Sequence, residues 1–145
     1  MNISGNTIFI PGSTSGIGLA LELEARGNTV IIGGRHAELL ERIAAEHPGL
    51  GTVQIDTTDT ASISSAAKQL LDRHSNLNVL VAMAGIMRVE DWHQPGSFLA
   101  SAESVITTDL LGPIQLIAAF VEHLRAQRPW RSHPATTRPR PPSTC

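Results

Sequence analysis

Three glycines, Gly12, Gly16 and Gly18, stand within "FIPGSTSGIGLAL" (residues 9–21), where an apolar run passes into a helix-like run. Glycine has no Cβ, so a turn built on it lets backbone amides come close to a charged group. The helix that follows begins with N–H groups lacking intrahelical partners and carrying a partial positive charge, which suits a pyrophosphate. One glycine would admit the tight turn, one the close approach and one the packing of helix on sheet. Ser13, Thr14 and Ser15 lie between the glycines as candidate phosphate donors. They are poor candidates for nucleophiles, because no G-x-S-x-G elbow is present. The alternative is a glycine-rich turn with no ligand.

The elements that must position this turn alternate. "TIFI" (7–10) reads as a strand, and residues 16–26 as a helix ended by Gly27. "TVIIG" (29–33) is continuous and β-branched, as expected of a strand buried on both faces. Residues 36–46 have helical spacing, "TVQI" (52–55) is a third strand, and 59–74 is helical with Asp59 or Thr60 near its N-cap. "VLVAMA" (79–84) reads as a fourth strand, 85–100 as loop, and 101–127 as a long helix with a break near Gly112–Pro113. Strands alternating with helices imply an α/β fold, a doubly wound, Rossmann-like parallel sheet with right-handed crossovers, ending after about four strands and a long helix.

The 145 residues suffice for one domain with a real core. The only cysteine is Cys145, so no internal disulfide is possible. This fits a reducing, cytoplasmic setting. No basic segment leads into a long apolar one at the N-terminus, and no stretch approaches the roughly 20 apolar residues of a membrane span. Charge is uneven: residues 1–127 sum to −6, and 128–145 to +4 with four arginines and five prolines. The expected organisation is an ordered, incomplete dinucleotide-binding domain at 1–127 and a disordered Arg/Pro-rich tail at 128–145. His36, His47, His74, His93, His123 and His133 show no metal-ligand spacing. Met83 and Met87 read as packing residues. The loop "RVEDWHQPGSF" (88–98) either borders a substrate cleft or links strand to helix, and its Glu90–Asp91 pair has no second feature arguing acid–base work.

These motifs together resemble the short-chain dehydrogenase/reductase family over residues 4 to about 127. Its glycine motif, Thr-Gly-x-x-x-Gly-x-Gly, is matched by "PGSTSGIG" (11–18) with Pro11 for threonine. Its Asp-Val after strand three is matched at Asp56 in "DTTD" (56–59), and its Asn-Asn-Ala-Gly at Ala84 and Gly85 in "AMAG" (82–85). "AGIMR" (84–88) and "LLGPIQL" (110–116) resemble the bacterial branch associated with D-alanine esterification of cell-wall polymers. The resemblance implies a dinucleotide held by Gly12, Ser13, Ser15, Gly16, Ile17, Gly18, Arg35, Asp56, Thr57, Ala84 and Gly85. An acid after strand two would pair with a ribose 2′-hydroxyl; Gly34 stands there, and Arg35 follows it. A guanidinium grips phosphate through paired donors, so NADP(H) is favoured over NAD(H). Arg35 also reads as a solvated turn residue, and Asp56 as a turn-capping carboxylate.

The family's acid–base is a tyrosine whose pKa, about 10 when free, is lowered by a lysine, with a serine and an asparagine completing the site. This sequence has no tyrosine, and its only lysine is Lys68, far upstream of the family's position. Asp109 stands where the family has its asparagine, and an ionised carboxylate cannot donate. The expectation is the NADP(H)-binding half of an oxidoreductase acting on an alcohol or carbonyl, truncated or frame-shifted and catalytically incompetent. The alternative is a non-catalytic nucleotide-binding or interaction module. The tail reads as a shifted-frame end, a basic arm, or the genuine end of a short module. No nucleic-acid partner is expected, and the substrate cannot be read. In the resembling fold strand four is interior and pairs with strand five, so residues 79–84 would present an unpaired edge here. That edge, or helix 101–127, would drive self-association.

Overall fold

A parallel sheet can bury both faces only if helices cover both, and the two halves of this chain divide that work. The computed structural model describes residues 3–87, His93 and 95–127. Strands β1 (Thr7–Pro11), β2 (Thr29–Gly34), β3 (Leu50–Gln54) and β4 (Val79–Leu80) form one parallel sheet in the order β3-β2-β1-β4. Helices α1 (Ile17–Ala25) and α2 (Ala37–Glu46) pack on one face. Helices α3 (Thr60–Arg73) and α5 (Gly112–Gln127) pack on the other. Alternation along the strands sorts the two cores: Ile8, Ile10, Val30 and Ile32 point to α1 and α2, while Phe9 and Ile31 point to α3 and α5. β2, read as buried on both faces, is buried at every position after Thr29. Asp59 is the N-cap of α3, its carboxylate accepting from the Ala61 amide at 3.0 Å. The tail 128–145 and the Glu90–Asp91 pair lie outside the described residues.

β4 is shorter than the six residues expected. Ile8 and Phe9 of β1 register with Val79 and Leu80, and the Val81 amide still donates to Phe9 O at 2.9 Å. The next donor due on that side of β1 is the amide of Pro11, and proline has none. The ladder therefore stops, and Ala82 and Met83 emerge exposed. Among the described residues the sheet edge at β4 is two residues long, and the opposite edge is β3. Met83 and Met87, expected to pack, are both exposed.

Three asparagines clasp the opposite end of the sheet. Asn6, Asn28 and Asn78 each immediately precede a strand. The Asn28 carboxamide oxygen accepts from the Asn6 backbone amide at 3.0 Å and from its side chain at 3.1 Å. Asn28 Nδ2 donates to Ile3 O and Leu23 O at 2.8 and 2.7 Å. Asn78 Oδ1 accepts from the Thr7 amide at 3.0 Å. The starts of β1, β2 and β4 are thus joined where the ladder itself has not begun.

The long helix begins earlier than 101, as α4 (Pro95–Val105), and passes through a π-helical segment, Ile106–Leu111, before α5. The Gly112 amide reaches back five residues to Thr107 O, just ahead of Pro113, which has no amide to give. Phe98–Gln127 is thirty residues long and contains an 18-residue stretch of mean hydropathy 1.6, so by length and composition alone it is long and apolar enough to cross a membrane. That corrects the expectation that no stretch comes near: isolated polar residues such as Thr107, Asp109 and Gln115 interrupt the run without lowering its average far. In the fold Leu116 and Phe120 are fully buried against the sheet, while Ile106, Leu110, Ile114 and Ile117 are about half exposed.

Candidate dinucleotide site

In a doubly wound sheet the ligand crevice opens at the carboxyl ends of the strands where the strand order reverses. Here the reversal falls between β1 and β4. A cleft at that place is lined from the ends of all four strands: Gly12 and Thr14 after β1, Gly34 and Arg35 at β2, Asp56 and Thr57 beyond β3, and Ala84 and Gly85 beyond β4. Gly12 makes the turn out of β1 with φ +81°, the left-handed region. A Cβ there would stand 2.6 Å from Ala84 Cα, so this glycine is where the strand ends approach closely. Ser13 and Ser15 form a single 3-10 turn, Ser13–Ser15, whose close leads into α1.

Sites expected from sequence divide into two groups. Gly12, Arg35, Asp56, Thr57, Ala84 and Gly85 line the cleft together. Ser13 does not offer its hydroxyl: the side chain is fully buried and Oγ donates to Ile10 O at 3.0 Å. Ile17 packs toward the α1 side of the core. A Cβ on Gly16 or Gly18 meets nothing within 4 Å, so neither is a glycine that close packing of helix on sheet requires. Both glycines border open space at the start of α1, where no side chain caps the first-turn amides. That is the cradle a pyrophosphate would need, and the residues present fit one.

His36, Thr58, Ile86 and Thr108 also line the cleft and were missed. Thr58 had a signal in the Asp-Thr-Thr turn, where an aspartate commonly accepts from the amide two residues on. Asp56 Oδ1 accepts from Thr58 Oγ1 at 2.7 Å and from the Thr58 amide at 2.9 Å. Asp56 is thus both turn cap and cleft residue. Asp109, on the π-helical segment, lies behind the cleft: its Oδ1 accepts from the Ile86 amide at 2.8 Å. A carboxylate at this position accepts rather than donates, and so holds the Ala84–Ile86 wall.

The Thr58 hydroxyl and amide hold the Asp56 carboxyl below its ordinary value, and Arg35 adds to that pull against partial burial. A carboxyl with a lowered folded pKa stabilises the fold fully above its unfolded value, about 3.9, and loses that contribution as pH falls through the lower folded value. Melting temperatures of wild type and Asp56→Asn between pH 7 and pH 2.5 should therefore converge at the acid end. Parallel curves would show that the Thr58 bonds favour neither protonation state.

The family model for short chain dehydrogenases matches residues 6–130. An uncharacterized oxidoreductase of Bacillus subtilis, DltE, is 34% identical over 129 residues, covering 88% of this chain and 51% of its own. Human retinol dehydrogenase 13 is 28% identical over 137 residues, covering 89% of this chain and 40% of its own. Among solved structures, an NADPH-bound carbonyl reductase from chicken fatty liver superposes with TM-score 0.70 at 27% identity, over 86% of this chain and 53% of that one. A short-chain dehydrogenase from Streptomyces avermitilis does so with TM-score 0.73 at 26% identity, over 85% of this chain and 46% of that one. The chain spans about half the length of the relatives it matches.

Proposed function

Because the chain belongs to the short chain dehydrogenase family, we propose that its cleft binds NADP(H) in preference to NAD(H), as the dinucleotide-binding half of an oxidoreductase acting on an alcohol or carbonyl. The observation that carries this reading is the convergence of Gly12, Arg35, Asp56, Ala84 and Gly85 on one cleft at the switch point of the sheet. The open amides at the start of α1 would take the pyrophosphate. Gly34 presents no carboxylate to repel a 2′-phosphate, and Arg35 presents a guanidinium to attract one. When bound, the dinucleotide would supply the hydride. What the 145 residues do not offer is a tyrosine to move the proton. Lys68 lies on α3 beside Gln69 and Asp72, and lines no part of the cleft. Asp109 is engaged by Ile86. The chain on its own is therefore a binder without turnover. The missing tyrosine equally supports a second reading, a nucleotide-binding or interaction module with no redox role.

Calorimetric titration with NADPH and NADH tests the cofactor reading. Wild type should favour NADPH. Arg35→Asp should shift the affinity ratio toward NADH by about tenfold or more, about 1.4 kcal/mol or more. An unchanged ratio would reduce Arg35 to a solvated turn residue. Enzyme-dependent NADPH loss with a panel of carbonyls would overturn the claim that this chain does not turn over.

A further inference from the structure

Arg35 sits on the turn between β2 and α2, and something must fix that turn if its guanidinium is to discriminate. The β2–β3 ladder ends with the Ile55 amide donating to Gly34 O at 2.9 Å. One residue farther, the backbone of β3 no longer reaches. The Gln54 side chain does: its Nε2 donates to Arg35 O at 3.0 Å. Gln54 thus adds a rung to the ladder with its side chain, at the residue that carries the guanidinium. Arg35, Gln54, Asp56 and Ser62 border one surface depression that continues from the cleft. On its far side the Asp56 carboxylate acts on the Arg35 charge, and Ser62 Oγ accepts from the Asp56 amide at 2.9 Å. Arg35 and Asp56 thus border both the cleft and the depression, and a 2′-phosphate arriving in the cleft would compete with the Asp56 carboxylate for the Arg35 charge. Where the Arg35 backbone is anchored decides which of the two it can serve.

We propose that Gln54 is a positioning residue for Arg35 and so sets the discrimination between dinucleotides with and without a 2′-phosphate. This rests on the NADP(H) reading above. The two are separated by measuring NADPH and NADH affinities for wild type, Arg35→Ala, Gln54→Leu and the double variant. Gln54→Leu keeps the side chain's bulk and removes the donor. It should weaken NADPH threefold or more and leave NADH within twofold. A merely structural loss would weaken both alike, and that result overturns the proposal. Because Gln54 acts through Arg35, the double variant should match Arg35→Ala, and additive losses overturn it too. A second readout needs no cofactor. Hydrogen exchange of a peptide spanning residues 34–37 should quicken in Gln54→Leu while peptides from β1 and α3 stay unchanged. If exchange quickens but Arg35→Ala leaves the NADPH/NADH ratio unaltered, the cofactor reading fails and Gln54 keeps only its hold on the turn. Unchanged exchange refutes that hold itself.

Discussion

Gly12→Val should destabilise the protein strongly, whereas Gly16→Val should leave its stability nearly unchanged and weaken its grip on a dinucleotide. The two glycines belong to one motif but meet different surroundings. At Gly12 an L-residue would take a left-handed backbone, costing about 1–2 kcal/mol, and its Cβ would drive into the Ala84 backbone. Overpacking of that kind costs roughly 1–3 kcal/mol more. Against a typical total of about 5–15 kcal/mol, the melting temperature should drop by roughly 10 °C or more. At Gly16 the added atoms enter open space, so melting should move by only a few degrees. That space is where the pyrophosphate is proposed to lie, and NADPH affinity should fall about tenfold or more. Thermal melts and calorimetry on both variants check the pair. Equal stability losses would mean that the motif serves folding alone, and unchanged binding in Gly16→Val would remove residues 12–18 as the phosphate loop.

Phe120→Ala should be comparably severe for a different reason. Phe120 is fully buried, its ring centroid 5.6 Å from that of Phe9 and tilted by 42°. It joins α5 to the central strand. Truncating a buried phenylalanine costs about 3–5 kcal/mol, because the transfer energy is lost and a cavity remains. Ile117, three residues earlier on the same helix, is about half exposed, so Ile117→Ala should change stability little. Urea titration followed by circular dichroism distinguishes the two. If both variants lost the same stability, α5 would be seated otherwise than through Leu116 and Phe120.

What could be read in advance depended on whether the cause was local. β2 was legible because a strand flanked by two others and covered on both faces must be apolar throughout, and "TVIIG" is. The glycine turn was legible because its backbone demand falls on single residues. β4 was overestimated because its length is set by Pro11, on another strand, and an apolar run carries no record of its partner's missing donor. The asparagine clasp escaped because its members are 22 to 72 residues apart. A faint sign existed, an asparagine directly before each of three strands. The inward turn of the Ser13 hydroxyl was not legible, because a hydroxyl in a turn has two directions to point, and here it donates to Ile10 O. The Gln54 contact is of the same class, a side chain answering a carbonyl nineteen residues away.

The π-helical segment Ile106–Leu111 has a consequence for how this helix tolerates change. An α-helix advances about 100° per residue, and a π-bulge absorbs one extra residue. The segment therefore acts as a phase adjuster between α4 and α5. The widened turn, more than the identity of its residues, lets Leu116 and Phe120 arrive facing the sheet despite the extra residue. Leu110 and Leu111, both exposed, are free to vary in kind. Losing either one would let the segment tighten to regular α-helix and leave Leu116 and Phe120 still facing the sheet, whereas the same deletion inside α5, ahead of Leu116, would turn the later side chains by about 100° and bring Ile117 and Val121 toward the core.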